Sequence, residues 1–261
     1  MRPDPLDLSG RTVIVTGGTR GLGRAMAVRF CEAGADVVVC ARRPPDEPVA
    51  AGGRTARFVA ADVREPDQVA RVVDEAVAAT GRLDVLVNNA GGAPPVATAD
   101  ASPRFNEKII ALNLLAPLTF AQAARPHLAA TGDGVIINIG SVSGERPNPL
   151  GAAYGAAKAG LVNLTATLAH EWGPEIRVLC AVVGLVDTEE ARLFYGESGS
   201  EAVAATLGLG RLGTPEEIAD AVFVLATPLT RWMSGAAVPV HGGGEMPAYL
   251  VAARHAADDE R

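Results

Sequence analysis

Three polar residues in the second half of the chain have types and spacing suited to proton transfer. Ser141 follows an apolar run, Tyr154 lies thirteen residues later, and Lys158 lies four residues beyond Tyr154. Side chains four residues apart project from one face of a helix, so the phenol and the ammonium are predicted to be neighbours. A phenol can donate a proton and take it back, and a nearby cation lowers its pKa. The Tyr and Lys alone are weak evidence, because most such pairs lie on protein surfaces.

A glycine-rich loop near the N-terminus could bind the phosphates of a dinucleotide. Residues 17–23 read Gly-Gly-Thr-Arg-Gly-Leu-Gly, between a β-branched run and a helical segment. Gly17 permits a tight turn, Gly21 lets the backbone approach a pyrophosphate, and Gly23 lets the helix pack close to the strand. The N-terminus of that helix offers free N–H groups and the positive end of its dipole. The glycine spacing departs from the commoner fingerprint, so an ordinary glycine turn stays open as the alternative.

The second predicted strand ends in cations at the place where an NAD site carries an acid. In NAD-binding chains this acid lies about 20 residues after the glycines and binds the ribose 2′-hydroxyl. Here the position holds Ala41, followed by Arg42 and Arg43, and Arg20 lies in the glycine loop. Guanidinium groups bind a 2′-phosphate through charge-assisted hydrogen bonds, so NADP is the predicted cofactor and NAD the alternative. Asp62, after the next strand, could bind the adenine amino group or be an isolated surface carboxylate.

Composition and charge argue against several classes of protein. The chain has 261 residues, of which 48% are hydrophobic, and a formal net charge of -7. The length suits a single α/β domain, and the negative charge argues against a nucleic-acid partner. No stretch approaches the ~20 apolar residues of a membrane span, and the N-terminus lacks the apolar core of a signal peptide, so a cytoplasmic protein is expected. The three cysteines and four histidines show no metal-ligand spacing, so no metal site is expected.

Short β-branched runs alternate with helical patterns, which predicts a parallel sheet covered by helices on both faces. The predicted strands are Thr12–Thr16, Asp36–Ala41, Arg57–Ala60, Leu83–Asn88, Gly134–Ile139, Arg177–Val183 and Ala237–Val240. The predicted helices are about Gly21–Ala33, Pro66–Thr80, Phe105–Ala130, Ala153–Trp172 and Pro215–Ala226. Thr214 and Glu217 have the spacing of a capping box at the last of these helices. The segment Arg42–Arg54, rich in Pro and Gly, is predicted to be a loop where a crossover helix would be expected.

Together these motifs resemble the main group of the short-chain dehydrogenase/reductase family, whose members have about 250 residues. The resemblance runs from about Leu8 to Gly244. Besides the glycine loop it rests on four motifs: Asn88–Gly91, Asn113, Ser141 and Tyr154–Lys158. It implies an α/β fold, a doubly wound Rossmann-type sheet of seven parallel strands with helices on both faces, in one domain over residues 1–261.

The resemblance also implies a reaction, the transfer of a hydride between NADP(H) and a small alcohol or ketone. Tyr154 would exchange the proton, Lys158 would lower the pKa of Tyr154 and bind the nicotinamide ribose, and Ser141 would fix the substrate oxygen. Asn113 would hold a water in the proton relay. Ser143 could replace Ser141, but the thirteen-residue spacing to Tyr154 favours Ser141. The cofactor-binding residues are predicted to be Gly17, Thr19, Arg20, Gly21, Leu22, Gly23, Arg42, Asp62, Val63, Asn89, Ala90, Gly91, Tyr154, Lys158, Gly184, Val186 and Thr188.

Two departures from the family pattern put one loop in question. Leu179 and Val183 stand where relatives commonly carry Asn and Pro. Val lacks the fixed φ of Pro, so the following loop, with Val186 and Thr188, lacks the restraint that sets its geometry in relatives. Residues 187–210 are predicted to form a helical lid, with an apolar underside that would favour a moderately apolar substrate. Residues 245–261 are predicted to be a C-terminal tail.

Two other functions stay open from the sequence. One is an enoyl reductase acting on a C=C bond, although its relatives usually place the Tyr farther from the Lys. The other is a cofactor-binding regulator without turnover, which would not need a proton donor. The resemblance implies a homo-oligomer, a dimer or tetramer, in which the helices Phe105–Ala130 and Ala153–Trp172 pair between subunits.

Overall fold

The computed structural model describes residues 4–251 and residue 253. Seven parallel strands form one sheet: β1 (Thr12–Thr16), β2 (Asp36–Ala41), β3 (Arg57–Ala60), β4 (Val85–Asn88), β5 (Gly134–Ser141), β6 (Ile176–Val183) and β7 (Ala237–Val240). Their order is β3-β2-β1-β4-β5-β6-β7. The direction of winding therefore reverses between β1 and β4, which is where open α/β sheets bind ligands. The predicted doubly wound fold is confirmed.

Helices cover both faces of the sheet. They are α1 (Gly21–Glu32), α2 (Pro66–Thr80), α3 (Pro103–Ile110), α4 (Ala116–Thr131), α5 (Ala152–Trp172), α6 (Glu189–Ala204) and α7 (Pro215–Ala226). One core cluster packs α1 and α7 against the sheet, and a second packs α2, α4 and α5 against the opposite face. Because both faces are covered, β1, β4 and β6 are buried along their whole length and show no polar alternation. The capping box is present, with Thr214 and Glu217 each bonding the other's backbone N–H.

The helix predicted over Phe105–Ala130 is present, but it contains a π-helical turn at Ala111–Leu115, between α3 and α4, that the sequence analysis did not predict. Within this turn the Asn113 Nδ2 donates to the Ile109 carbonyl at 2.9 Å. Pro117 has no N–H, so it cannot make the helical hydrogen bond to the Asn113 carbonyl. The proline thus explains why the regular helix is interrupted at Asn113.

The segment Arg42–Arg54 contains no helix, as predicted, but it is more ordered than a simple loop. Two-residue strands at Ala50–Ala51 and Arg54–Thr55 pair antiparallel. Gly52 and Gly53 connect them with φ values of 58° and 75°. Glycine accepts such positive φ values without strain, so it suits this tight hairpin.

The predicted lid contains the helix α6, which bends where Gly196 leaves helical geometry at φ 70° and ψ 173°. The apolar underside predicted for this lid consists of Leu193, Phe194 and Tyr195. Their side chains lie outside the described part of the structure, so that feature stays a prediction. Among the residues described, no helix has the length and apolar character needed to cross a membrane.

The first residues of the predicted tail pack against the end of the lid. Leu207 and Glu245 form an antiparallel bridge, and the Met246 N–H donates to the Thr206 carbonyl at 2.7 Å. The Glu245 carboxylate also accepts two hydrogen bonds from the guanidinium of Arg146, one of them from Nε at 3.2 Å. Arg146 follows Ser141 in the loop after β5, so this contact links the tail, the end of the lid and that loop. Residues 252 and 254–261 of the tail lie outside the described structure.

Candidate functional site

A cleft of about 540 Å³ runs across the carboxyl ends of the central strands. It is lined by every residue predicted above to bind the cofactor and by Ser141. Asn113, the remaining predicted catalytic residue, is fully buried and does not line the cleft. Among the described residues, no group of three His, Cys, Asp or Glu side chains is placed to hold a metal ion.

The glycine loop brings the N-terminus of α1 to the edge of the cleft. A Cβ on Gly23 would lie 2.2 Å from the Gly17 carbonyl oxygen, so only glycine allows this close packing. Gly21 has a φ of 52°, and a Cβ on it would meet no atom within 4 Å, so its backbone is open to a ligand. The Arg20 side chain makes no capping hydrogen bond at the start of α1. The first N–H groups of α1 are therefore available for an anion.

The run Asn88–Gly91 fastens the end of β4 to the end of β1. The Thr16 hydroxyl accepts hydrogen bonds from the Asn89 and Ala90 backbone N–H groups, both at 2.9 Å. The Asn89 amide in turn donates to the Thr16 carbonyl at 2.8 Å. These bonds hold the glycine loop and the β4 loop in one position, facing the same cleft.

At the outer end of the cleft, Asp62 has a partner that the sequence reasoning missed. Arg64 donates to the Asp62 carboxylate through Nε at 2.9 Å and Nη2 at 2.5 Å. Hydrogen bonding to Arg64 holds the pKa of Asp62 below its usual value. Asp62 is thus neither an isolated surface acid nor a free acceptor, although each paired oxygen has a further lone pair. In the sequence, the Asp-x-Arg spacing could have indicated that Arg64 pairs with Asp62. Arg42 lines this end of the cleft and Arg43 does not.

At the inner end, Ser141 and Tyr154 face each other. Ser141 is the last residue of β5, and Tyr154 lies in the first turn of α5. Burial raises the pKa of Tyr154, and a hydrogen bond with the Ser141 side chain partly offsets this. The Ser141 Oγ also accepts from the Ser143 backbone N–H at 3.2 Å. Ser143 does not line the cleft, so the geometry favours Ser141 of the two serines.

Lys158 lies one helical turn after Tyr154 and is almost completely buried, at 4% exposure. Its Nζ donates to the Ile139 carbonyl at 2.7 Å and lies 5.6 Å from the centre of the Tyr154 ring. Burial lowers the pKa of Lys158 to about 8. An ammonium has three donors, so one that already bonds Ile139 can also bind hydroxyl groups of a ligand.

Both polar atoms of the Asn113 side-chain amide form hydrogen bonds with protein groups. Its Oδ1 accepts from the Gly92 N–H at 2.9 Å, and its Nδ2 donates to the carbonyls of Gly92 and Ile109. A water in the predicted relay would therefore have to meet the second lone pair of the Asn113 Oδ1 or the Asn113 backbone carbonyl, which Pro117 cannot satisfy. A Cβ on Gly91 would lie 2.7 Å from the Asn113 Oδ1 and 3.4 Å from the Lys158 Nζ. Because Gly91 has no Cβ, the Asn113 and Lys158 side chains can lie close to its backbone.

The loop after β6 is held in place without the proline that relatives carry. Val186 forms a parallel bridge with Gly213, and the Asp187 N–H donates to the Gly213 carbonyl at 2.8 Å. Thr188 caps α6 by accepting from the Ala191 N–H at 3.2 Å. Val186 and Thr188 consequently line the cleft even though Val183 replaces the proline.

Comparison with known proteins agrees with this arrangement. Residues 17–245 match a family model described as enoyl-(acyl carrier protein) reductase. An uncharacterized oxidoreductase of Mycobacterium tuberculosis is 35% identical over 94% of this chain and 95% of its own length. The 7alpha-hydroxysteroid dehydrogenase of Escherichia coli is 31% identical over 92% of this chain and 96% of its own length.

A solved structure shows the same fold. A short-chain type dehydrogenase/reductase from Mycobacterium marinum superposes with a TM-score of 0.86, at 31% identity, over 94% of this chain and 99% of that one. The chain belongs to the short-chain dehydrogenase/reductase family and is an oxidoreductase of that family.

Proposed function

We propose that this protein transfers a hydride between NADP(H) and a small alcohol or ketone, with Tyr154 as the proton donor. The observation that carries the proposal is that Ser141, Tyr154 and Lys158 share one cleft with the phosphate-binding type of glycine loop. A proton donor and an anion site then share a single cleft. The steroid dehydrogenase among the relatives, by its name, acts on a hydroxyl group and supports this substrate class.

The residues of the cleft fit a dinucleotide along its whole length. The open N–H groups at the start of α1 would bind the pyrophosphate, and Lys158 would bind hydroxyls of the nicotinamide ribose. Asp62 and Val63 would meet the adenine, with Arg64 sharing the Asp62 carboxylate. When bound, the dinucleotide supplies or accepts the hydride.

The proton chemistry follows from the two shifted pKa values. Burial keeps Tyr154 protonated at neutral pH, so the residue is ready to donate to the oxygen of a ketone. The Ser141 side chain orients that oxygen and stabilises the charge that develops on it. Lys158 is cationic below its pKa of about 8, and its charge favours the phenolate left on Tyr154.

The preference for NADP over NAD is proposed from the outer end of the cleft. Ala41 offers no carboxylate to the ribose 2′-hydroxyl, and Arg20 and Arg42 are exposed cations that line the cleft. A 2′-phosphate placed between them would gain charge-assisted hydrogen bonds.

Enoyl reduction is the second candidate, because the family model carries that description. The placement of Ser141 and Tyr154 on the same cleft favours the ketone instead. Two hydroxyl groups that converge on one point suit an oxygen at the reacting carbon, and a C=C bond has none there.

A panel of ketones and enones, each with NADPH and with NADH, tests the proposal. Cofactor consumption and product mass should show alcohols formed from ketones, with NADPH preferred. A saturated ketone formed from an enone would instead establish enoyl reduction. Tight NADPH binding without turnover of any substrate would identify a regulator and overturn the proposal.

A further inference from the structure

A second cavity, which we call the side cavity, adjoins the catalytic end of the cleft. Its volume is about 340 Å³, and Tyr154 lines both this cavity and the cofactor cleft. Its walls come from three segments: the loop of residues 93–101, the helix α3, and residues 150–156 at the start of α5. A volume of this size lies in the range of small-molecule binding sites.

The walls of the side cavity are apolar. Val96, Phe105, Ile109 and Leu150 supply large hydrophobic surfaces, and no lining residue carries a charge. Polar ligand groups would lose hydration there without finding partners, apart from a few hydroxyl and amide groups. The chemistry of the cavity therefore selects an uncharged, apolar group.

Under the proposed function the dinucleotide extends along the cleft from Asp62 to Tyr154. A ketone carbon held at Tyr154 bears two substituents, and at least one of them must extend away from the cofactor. The side cavity meets Tyr154 outside the cleft and offers a space for this substituent.

The rim of the side cavity is held in an unusual backbone conformation. Leu150 has a φ of 66°, a region that residues other than glycine and asparagine rarely adopt. Its carbonyl accepts a hydrogen bond from the Val96 N–H at 2.8 Å, which ties the 93–101 loop to the start of α5. Such strain persists only where surrounding contacts enforce it, and it tends to accumulate at binding sites.

We infer that the side cavity binds the apolar arm of the substrate, a hydrocarbon chain or ring of several carbons on one side of the carbonyl. The inference rests on the proposed function and names its substrate class: ketones or secondary alcohols with one extended apolar substituent. Each additional buried methylene should raise the affinity about fourfold, so chain length should strongly affect the specificity.

Two alanines of α5 provide a matched test. Ala156 and Ala159 are both exposed on this helix, but only Ala156 lines the side cavity. We would measure kcat/KM for 2-nonanone and 2-butanone with NADPH in the wild type, Ala156→Leu and Ala159→Leu. The wild type should prefer 2-nonanone by at least about tenfold. Ala156→Leu should lower this ratio about tenfold, and Ala159→Leu should keep it within about twofold. Equal ratios in the two variants would overturn the inference.

Binding without turnover separates this inference from the proposed function. Saturation-transfer NMR should detect 2-nonanone bound to the wild type and to Ala159→Leu, with loss of the signal in Ala156→Leu. If that pattern holds but no ketone is reduced, the proposed function fails and the side-cavity inference stands. If ketones are reduced but 2-nonanone shows no binding contrast between the variants, the inference fails and the function stands.

Two further measurements address misfolding and subunit contacts. If Ala156→Leu does not fold, as judged by circular dichroism, Phe105→Ala enlarges the cavity instead and should move the chain-length optimum to longer ketones. An unmoved optimum would contradict the inference. Because the helix that carries Ala156 and Ala159 is expected to pair between subunits, sedimentation must show that Ala159→Leu keeps the oligomeric state of the wild type. A change in Ala156→Leu alone would show that a second copy of the chain occupies the cavity. That result would also overturn the inference.

Discussion

The two ends of the cofactor cleft use charge in opposite ways. At the outer end, Arg20 and Arg42 are exposed cations in contact with water. At the inner end, Lys158 is buried, and burial lowers its pKa to about 8. Exposed charges are screened and contribute modest amounts to affinity, whereas a buried charge changes the protonation chemistry itself. Substitutions at the inner end should therefore change the rate, and those at the outer end the choice of cofactor.

The largest effect is expected at Tyr154. Tyr154→Phe removes the proton donor and should lower kcat for ketone reduction by at least about 100-fold. Ser143→Ala is the control, because it keeps the hydrogen bond from the backbone N–H of residue 143 to the Ser141 Oγ. Its kcat should stay within about threefold of the wild-type value. Steady-state kinetics on a ketone that the wild type reduces give both numbers. Near wild-type turnover by Tyr154→Phe would refute the role of Tyr154.

The next effect is a pH dependence that originates at Lys158. In the free protein Lys158 loses its charge as pH rises through about 8, because burial disfavours the charged form. If the charged form binds NADPH, the affinity is highest below pH 8 and falls above it. Fluorescence titration should show the Kd rising about tenfold between pH 7 and 9. Lys158→Arg, whose side chain stays charged, should flatten the profile. An unchanged wild-type Kd across this range would contradict the assignment.

A smaller effect is expected at the outer end of the cleft. Arg42→Ala should raise the Kd for NADPH about tenfold, equivalent to about 1.4 kcal/mol, with little change for NADH. Arg43→Ala is the matched control, since Arg43 is also exposed but does not line the cleft. Titrations with both cofactors test this prediction. Equal losses for NADPH and NADH in Arg42→Ala would show that the guanidinium does not recognise the 2′-phosphate.

The smallest effect is expected away from both ends, at the cap of α7. Thr214→Ala removes a hydrogen bond to the Glu217 N–H, which should cost about 1 kcal/mol and lower Tm by about 2–4 °C. Thr214→Ser keeps the capping oxygen and should retain most of the stability. Calorimetry would measure both variants, and the affinity for NADPH should not change. A loss of NADPH affinity in Thr214→Ala would instead show that the cap of α7 affects the cofactor cleft.

The sequence predicted the sheet well because a strand buried on both faces appears in the sequence as a short, continuous apolar run. β1, β2, β3 and β7 have the predicted bounds, and the other strands differ by one or two residues. The residues named for the cofactor all line the cleft, and most of them came from the family resemblance, while the Tyr154 to Lys158 spacing follows from local helix geometry. Their catalytic and binding roles stay predictions.

The structural features that the sequence did not predict depend on contacts between distant segments or on a single missing hydrogen-bond donor. The π-helical turn around Asn113 follows from the missing donor of Pro117, which could have indicated it. The hairpin at Gly52 and Gly53 was also visible as a turn pair between short strands. The pairing of Asp62 with Arg64 requires the backbone path of the loop after β3. The side cavity is formed by segments distant in sequence, so no local sequence pattern predicts it.

The contact between Arg146 and Glu245 has a consequence for recombination with relatives. The two residues are 99 positions apart, yet they join the loop after Ser141 to the segment that pairs with the end of the lid. A chimera whose crossover falls between them would inherit one partner from each parent. Functional chimeras should therefore keep residues 146–245 as one inherited block, with crossovers placed earlier in the chain.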